Sequence, residues 1–196
     1  MRYSRKILLA TLALLCLSLS PVMAAGEGDS GSQAARNYFT DVVLINQHGE
    51  PMRLYSDLLQ GKVVIISTFF TACDGVCPVS QSNLKKIQDW LGDRMGSEVH
   101  FLSLSVDPLN DTTEKLAEFA ARYKARPGWH FLSGDPENVR FALRKVGQFV
   151  DDRESHQSIF IIGNEPTRLW KKAFGLSKPE DLIPIVDSVL NDKPGF

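Results

Sequence analysis

Cysteine is scarce in this sequence. Three occur in 196 residues, and one of them, Cys16, lies in an apolar N-terminal run. That leaves Cys73 and Cys77 for the rest of the chain, too few for a disulfide framework. A bridge between these two would span only three intervening residues, and so small a loop removes little freedom from the unfolded chain. As a staple the pair is poor, which points towards chemistry. An excess of positive charge is also missing. Lys and Arg total 22 and Asp and Glu 23; Arg2, Arg5 and Lys6 belong to the leader, so the remainder carries 19 basic against 23 acidic residues. That balance gives no nucleic-acid footprint. Internal repeats and low-complexity segments are absent too.

Acidic residues are lacking from the first 25 positions. Residues 1–6 form a basic start, Ile7 to Leu19 an apolar stretch, and Val22-Met-Ala24 and Met23-Ala-Ala25 offer small-residue cleavage sites, the pattern of an export signal over 1–25. The apolar run from Ile7 to Ala25 just reaches the roughly 20 residues of a membrane span, so an uncleaved anchor is the alternative. Leu15 before Cys16 is not the small residue of a lipoprotein cleavage site. The expected location is the bacterial periplasm, or the inner membrane facing it. Gly26 to Arg36 is rich in Gly, Ser, Ala and Gln and reads as a flexible tether over 26–38, leaving 39–196 as one domain with a real core.

Cys73 and Cys77 stand in Thr71-Ala-Cys-Asp-Gly-Val-Cys-Pro78, between a strand-like apolar run and a helix-like one. Two thiols at one turn can exchange electrons as a dithiol/disulfide pair or grip a soft metal. Pro78 suits the first position of a helix. Cys77 then falls at the N-cap, where the positive end of the helix dipole lowers a thiol pKa. On a continuous helix residues four apart have Cβ atoms about 5–6 Å apart, whereas a disulfide needs about 3.5–4.5 Å. Easy oxidation therefore requires Cys73 to lie in the loop before the helix, which Gly75 lets bend. Asp and Gly in that loop argue for exposure.

The remaining pattern predicts an α/β fold. Val42 to Ile45 and Met52 to Leu54 flank a turn, giving an N-terminal β-hairpin. Lys62 to Phe70 reads as a strand buried on both faces, then Val79 to Leu91 as a helix and Val99 to Val106 as a strand. Asp111-Thr-Thr-Glu114 is a capping box before a helix with Leu116, Phe119, Ala120 and Tyr123 on one face. Trp129 to Leu132 is a short strand, and Asp135-Pro136 caps the next helix. Ser158 to Ile162 and Thr167 to Trp170 are strands around a Gly163-Asn164 turn, and Ser177 caps a last helix. The alternation predicts a central mixed sheet with helices on both faces, and a cysteine motif between the first long strand and its helix is the layout of a thioredoxin-like fold. Sites in such sheets lie beyond the carboxyl ends of the strands.

Among four histidines, His48 falls in a turn and His100 and His130 within strands. His156 differs: it closes the polar stretch from Asp151 and immediately precedes the strand from Ser158. In a thioredoxin-like fold that loop faces the cysteine turn, where oxidoreductases of this fold usually carry a cis-proline. This chain has no proline between Pro136 and Pro166.

These residues resemble the Sco/SenC family, copper-binding assembly factors for cytochrome c oxidase. The resemblance rests on four blocks: the Cys-x3-Cys-Pro turn at Cys73 to Pro78, Ser-Val-Asp-Pro-x-x-Asp-Thr at Ser105 to Thr112, Trp-x-Phe-Leu-x-Gly at Trp129 to Gly134, and His156 before an Ile/Phe-rich strand. It covers residues 42–190. The family usually has Pro-Asp after the first cysteine where this chain has Asp74-Gly75; the loop length is kept. The resemblance implies that Cys73, Cys77 and His156 bind one copper ion, Cu(I) or Cu(II). It further implies a periplasmic copper chaperone that delivers to the dinuclear copper site of the oxidase, with the copper-site subunit as partner and a periplasmic copper donor or thiol reductant upstream. Asp107, near the strand end, reads either as tuning the site or as a turn residue before Pro108, and Asp111 as a helix cap.

The alternative is a thiol–disulfide oxidoreductase that keeps the oxidase copper-site cysteines reduced; it needs only Cys73 and Cys77 as catalytic residues. A thiol peroxidase of the same fold would carry Thr three residues before its reactive Cys, where this chain has Phe70 or Asp74. Structural zinc generally takes four protein ligands, and the sequence offers three.

Overall fold

The structure is a computed structural model that describes residues 27–75 and 77–193. The predicted export signal over 1–25 lies outside them. The elements run α1 (Glu27–Phe39), β1 (Val43–Ile45), β2 (Pro51–Arg53), a helical turn Leu54–Leu59, β3 (Val63–Phe69), α2 (Cys77–Leu91), β4 (Val99–Ser105), α3 (Thr113–Arg122), β5 (Trp129–Leu132), α4 (Pro136–Lys145), β6 (Ile159–Asn164), β7 (Leu169–Phe174) and α5 (Pro179–Leu190).

β3 is buried at all seven positions, so it lies at the centre of the five-stranded sheet, ordered β5-β4-β3-β6-β7. β3 pairs parallel with β4 and antiparallel with β6, β4 pairs parallel with β5, and β6 pairs antiparallel with β7. Alternate residues of β3 feed two cores. Val63, Ile65 and Phe69 meet Leu84 and Ile87 of α2, Leu116 and Phe119 of α3, and Leu182 and Val186 of α5. Val64 and Ile66 meet Leu44 of the β1–β2 hairpin, Leu54 to Leu59 of the helical turn, and Val139 and Leu143 of α4. The expected mixed sheet with helices on both faces and an N-terminal hairpin is present, in the thioredoxin-like arrangement.

This register decides where a site can form. Phe69 pairs with Ser105, so β3 and β4 deliver their following loops to the same end of the sheet. β6 runs the other way beside β3, so its preceding loop arrives at that end as well. Three loops far apart in sequence therefore converge: residues 70–75, 106–112 and 151–158.

Several local expectations differ. The flexible tether over 26–38 is a helix from Glu27. Its half-buried Ala35 and Phe39 join the second core, Ser32 bonds the Tyr55 hydroxyl at 3.2 Å, and Arg36 donates to Ser56 at 2.8 Å and to Gln60 at 2.9 Å. Packing of this face overrides the weak helix propensity of Gly and Ser. Gly163 and Asn164 belong to β6, and the turn follows at residues 165–168. A Cβ on Gly163 would stand 2.2 Å from the Trp170 ring, so glycine serves cross-strand packing there, not a bend. The N-cap of α5 is Lys178, with no side-chain cap from Ser177.

Candidate metal centre

Cys73 stands in the loop after β3, its N–H donating to the Phe70 carbonyl at 3.1 Å in a tight turn. It is half-buried, whereas Cys77 is completely buried at the start of α2. The helix begins at Cys77 itself, one position earlier than an N-cap there would give. Among the described residues neither sulfur is in a disulfide. His156 arrives from the loop before β6 and is 9% exposed. Its Nε2 lies 3.2 Å from Cys77 Sγ. The ligand atoms of Cys73, Cys77 and His156 all fall within 4.8 Å of one another.

The imidazole orientation follows from its other nitrogen. Nδ1 is 2.6 Å from the Arg153 carbonyl oxygen. A carbonyl only accepts, so Nδ1 carries the proton and Nε2 presents its lone pair to the sulfurs, as a metal-binding histidine requires. The Phe70 and His156 rings pack in a T-shaped pair with centroids 5.5 Å apart.

The N-cap argument for an acidified Cys77 thiol fails. Burial, and then the bond from Cys73, push this thiol well above its ordinary range. Desolvation of the charged form outweighs the helix dipole, because the sulfur is sealed in the apolar core instead of standing at an open helix end. Without a metal, Cys77 is a neutral thiol whose S–H can donate to Nε2. A cation at the three donors reverses that balance by stabilising the thiolate.

The donor set fits a single soft ion. Two thiolates suit Cu(I) and imidazole suits the higher oxidation state. Bonds of roughly 2.0–2.3 Å, as measured for zinc with nitrogen and sulfur, need donors 3 to 4 Å apart, which the Cys77–His156 spacing meets. Among the described residues the group consists of these three, so a four-ligand structural zinc site is not formed.

Two carboxylates outside the donor set, Asp111 and Asp107, hold the site in place. Asp111 does not cap α3; the N-cap is Thr112, with no side-chain cap bond. Asp111 is 2% exposed, and its carboxylate accepts from Thr71 N–H at 3.0 Å, from Thr71 Oγ1 at 2.6 Å and from Ser105 Oγ at 2.5 Å. It thus ties the cysteine turn to the end of β4. Asp107 pairs with Arg153, tying the histidine loop to that same segment. His48 is exposed in the hairpin turn, and His100 and His130 stand on β4 and β5, away from the cysteines.

The model of the SCO1/SenC family matches residues 30–190. This chain belongs to the SCO1/SenC family. It is 31% identical over 153 residues to the SCO1 protein homolog of Bacillus subtilis, covering 73% of this chain and 78% of that one. It spans a smaller share, 51%, of the mitochondrial SCO1 homolog 1 of Arabidopsis thaliana. A solved structure of BsSco, described as a member of the Sco family of cytochrome c oxidase assembly proteins with a disulfide switch, superposes with a TM-score of 0.63 at 30% identity, covering 77% of this chain and 92% of that one. The copper-bound structure of Arabidopsis thaliana ScoI shares the fold, with a TM-score of 0.61 at 23% identity over 76% of this chain and 92% of that one.

Proposed function

We propose that this Sco/SenC chain is an exported copper chaperone. It holds one copper ion on Cys73 Sγ, Cys77 Sγ and His156 Nε2 and delivers it in the bacterial periplasm to the copper-site subunit of a cytochrome c oxidase. The observation that carries this reading is the meeting of two thiols and a correctly protonated imidazole within 4.8 Å. Three protein donors leave one side of the ion free for an incoming ligand from a partner. The two sulfurs hold Cu(I), and the imidazole extends the set to Cu(II). Copper binding displaces the thiol protons, so affinity falls as pH falls.

A second reading rests on the unequal exposure of the sulfurs. Half-buried Cys73 is open to a partner, and buried Cys77 is placed behind it. As a reductase, the Cys73 thiolate would attack a client disulfide to form a mixed disulfide. Cys77 would then displace the client thiolate, leaving Cys73–Cys77 oxidised and the client reduced by two electrons. A periplasmic thiol reductant would restore the pair.

Cu(II) titration separates the two. Cys73→Ser, Cys77→Ser and His156→Ala are each expected to abolish Cu(II) binding and its thiolate charge-transfer band, while His156→Ala still holds Cu(I) and still reduces a disulfide. Unchanged Cu(II) affinity and spectrum in His156→Ala would remove the histidine from the ligand set and put the reductase reading first.

A further inference from the structure

His156 is delivered by residues 151–156, a polar stretch with one short helical turn, Arg153–Ser155. Most of its bonds are internal: the Asp152 side chain accepts from Glu154 N–H, and the Asp152 carbonyl from Ser155 N–H. Among the described residues, only Arg153 carries a side-chain hydrogen bond from 151–155 to another element. Its guanidinium donates to the Asp107 carboxylate beyond the end of β4. The same guanidinium carbon lies 5.1 Å from the centre of the Phe70 ring, the ring that packs in a T-shaped pair with His156. The Arg153 carbonyl accepts from both the Nδ1–H and the backbone N–H of His156, at 2.6 and 3.3 Å. One residue therefore holds the imidazole with its backbone and is itself held through its side chain.

The anchor is firm. The Asp107 side chain is only 10% exposed. It also accepts from Asn110 Nδ2 at 2.8 and 3.0 Å, and its N–H donates to Ser105 Oγ at 2.9 Å. Ser105 in turn donates to Asp111, which grips the cysteine turn through Thr71. The segment 105–111 thus touches both halves of the centre, the thiols through Asp111 and the imidazole through Asp107.

We propose that Arg153 is a positioning residue for His156, latched by Asp107 and Phe70, so that this latch decides whether the third donor stands at the cysteine pair. The inference rests on the copper reading for its consequence: the latch tunes the centre between the His-dependent and thiolate-only modes, and so between Cu(II) and Cu(I). An Arg153 set free would leave both thiols in place while His156 swings out with its loop.

The test compares wild type, Arg153→Gln, Arg153→Lys, Asp107→Asn and the Arg153→Gln/Asp107→Asn double variant. In metal-free protein, nitrogen-15 NMR of the histidines should show a protected His156 Nδ1–H in wild type and its loss in Arg153→Gln. In titrations with copper alone, Arg153→Gln should lose about 10–100-fold in Cu(II) affinity, the scale for groups that orient a metal-bound histidine, with its charge-transfer band moving towards that of His156→Ala. Cu(I) affinity should stay at the wild-type level. Arg153→Lys, which keeps the charge without the planar fork, should recover part of the loss, and the double variant should be no worse than either single one. An unchanged His156 resonance in Arg153→Gln overturns the latch without reference to any metal. Equal losses for Cu(I) and Cu(II) with a lowered unfolding midpoint also overturn it, since a merely structural residue would behave that way. A wild-type protein that binds no copper overturns the proposed function instead, and the metal-free resonance still decides the latch.

Discussion

At the scale of single residues, the carboxylate of Asp111 shows how a buried acid is tolerated. It is 2% exposed, yet three donors meet its oxygens: the N–H and hydroxyl of Thr71 and the hydroxyl of Ser105. Replacing it with alanine would strand all three, at about 1–3 kcal/mol for each buried group left unpaired. Asp111→Ala should therefore lower stability by roughly 3 kcal/mol or more, read as a drop in the denaturant midpoint. Thr71 is two residues from Cys73, so the released turn should also let an alkylating reagent reach Cys73 faster. A variant with wild-type midpoint and wild-type alkylation rate would show that Asp111 braces nothing. The spacing Asp111-Thr-Thr-Glu114 resembles a helix cap in sequence; only the fold reveals that Thr71 outcompetes the helix N–H groups for this acid.

At the scale of elements, α5 carries Pro184 in its interior, and that residue is exposed. Proline there cannot donate to the Glu180 carbonyl, and relative to alanine it costs a helix interior about 3 kcal/mol. It also restricts the unfolded chain, which returns about 0.4–1 kcal/mol. The difference favours Pro184→Ala by about 2 kcal/mol, to be read as a raised thermal midpoint; an unchanged or lower midpoint would mean that the ring packs usefully where it is. The same competition between local and tertiary terms explains which elements were legible. β3 could be read almost to the residue, because a strand buried on both faces needs a continuous apolar run. α4 was legible because Asp135 accepts from Glu137 and Asn138 N–H groups, a bond contained within its own cap. α1 was missed because what holds it, Tyr55, Ser56 and Gln60, lies some twenty residues away. The candidate site divides in the same way. Cys73, Cys77 and His156 stand in readable motifs, whereas Asp107, Asp111 and Arg153 act through bonds between loops that only the sheet register brings together.

At the scale of the whole molecule, a pair of histidines outside the metal centre should govern the response to acid. His100 on β4 and His130 on β5 lie with near-parallel rings 6.5 Å apart, and His100 Nδ1 is buried with no hydrogen-bond partner among the described residues. Burial above all, then the Lys62 charge and His130, push His100 down to about 4. Burial, then Lys62 and His48, lower His130 as well, with Glu50 opposing. In the unfolded chain both imidazoles take up protons near pH 6.5. Between that value and about 4 the unfolded chain thus binds more protons than the folded one at His100. The contribution is fully present above about pH 6.5 and is lost as pH falls towards 4. The denaturant midpoint of the metal-free protein should drop between about pH 7 and about pH 5, and His100→Gln should flatten that slope. Asp57, held at about 2 chiefly by its hydrogen bond from Arg53, adds its own loss only lower, between its ordinary range and 2. Loss of stability that begins only below about pH 4 would assign the acid response to carboxylates such as Asp57. A slope between neutral pH and 5 that disappears in His100→Gln would place it on the β4–β5 histidine pair, on the sheet strands away from the cysteines, so that copper loading and acid stability can be varied independently by mutation.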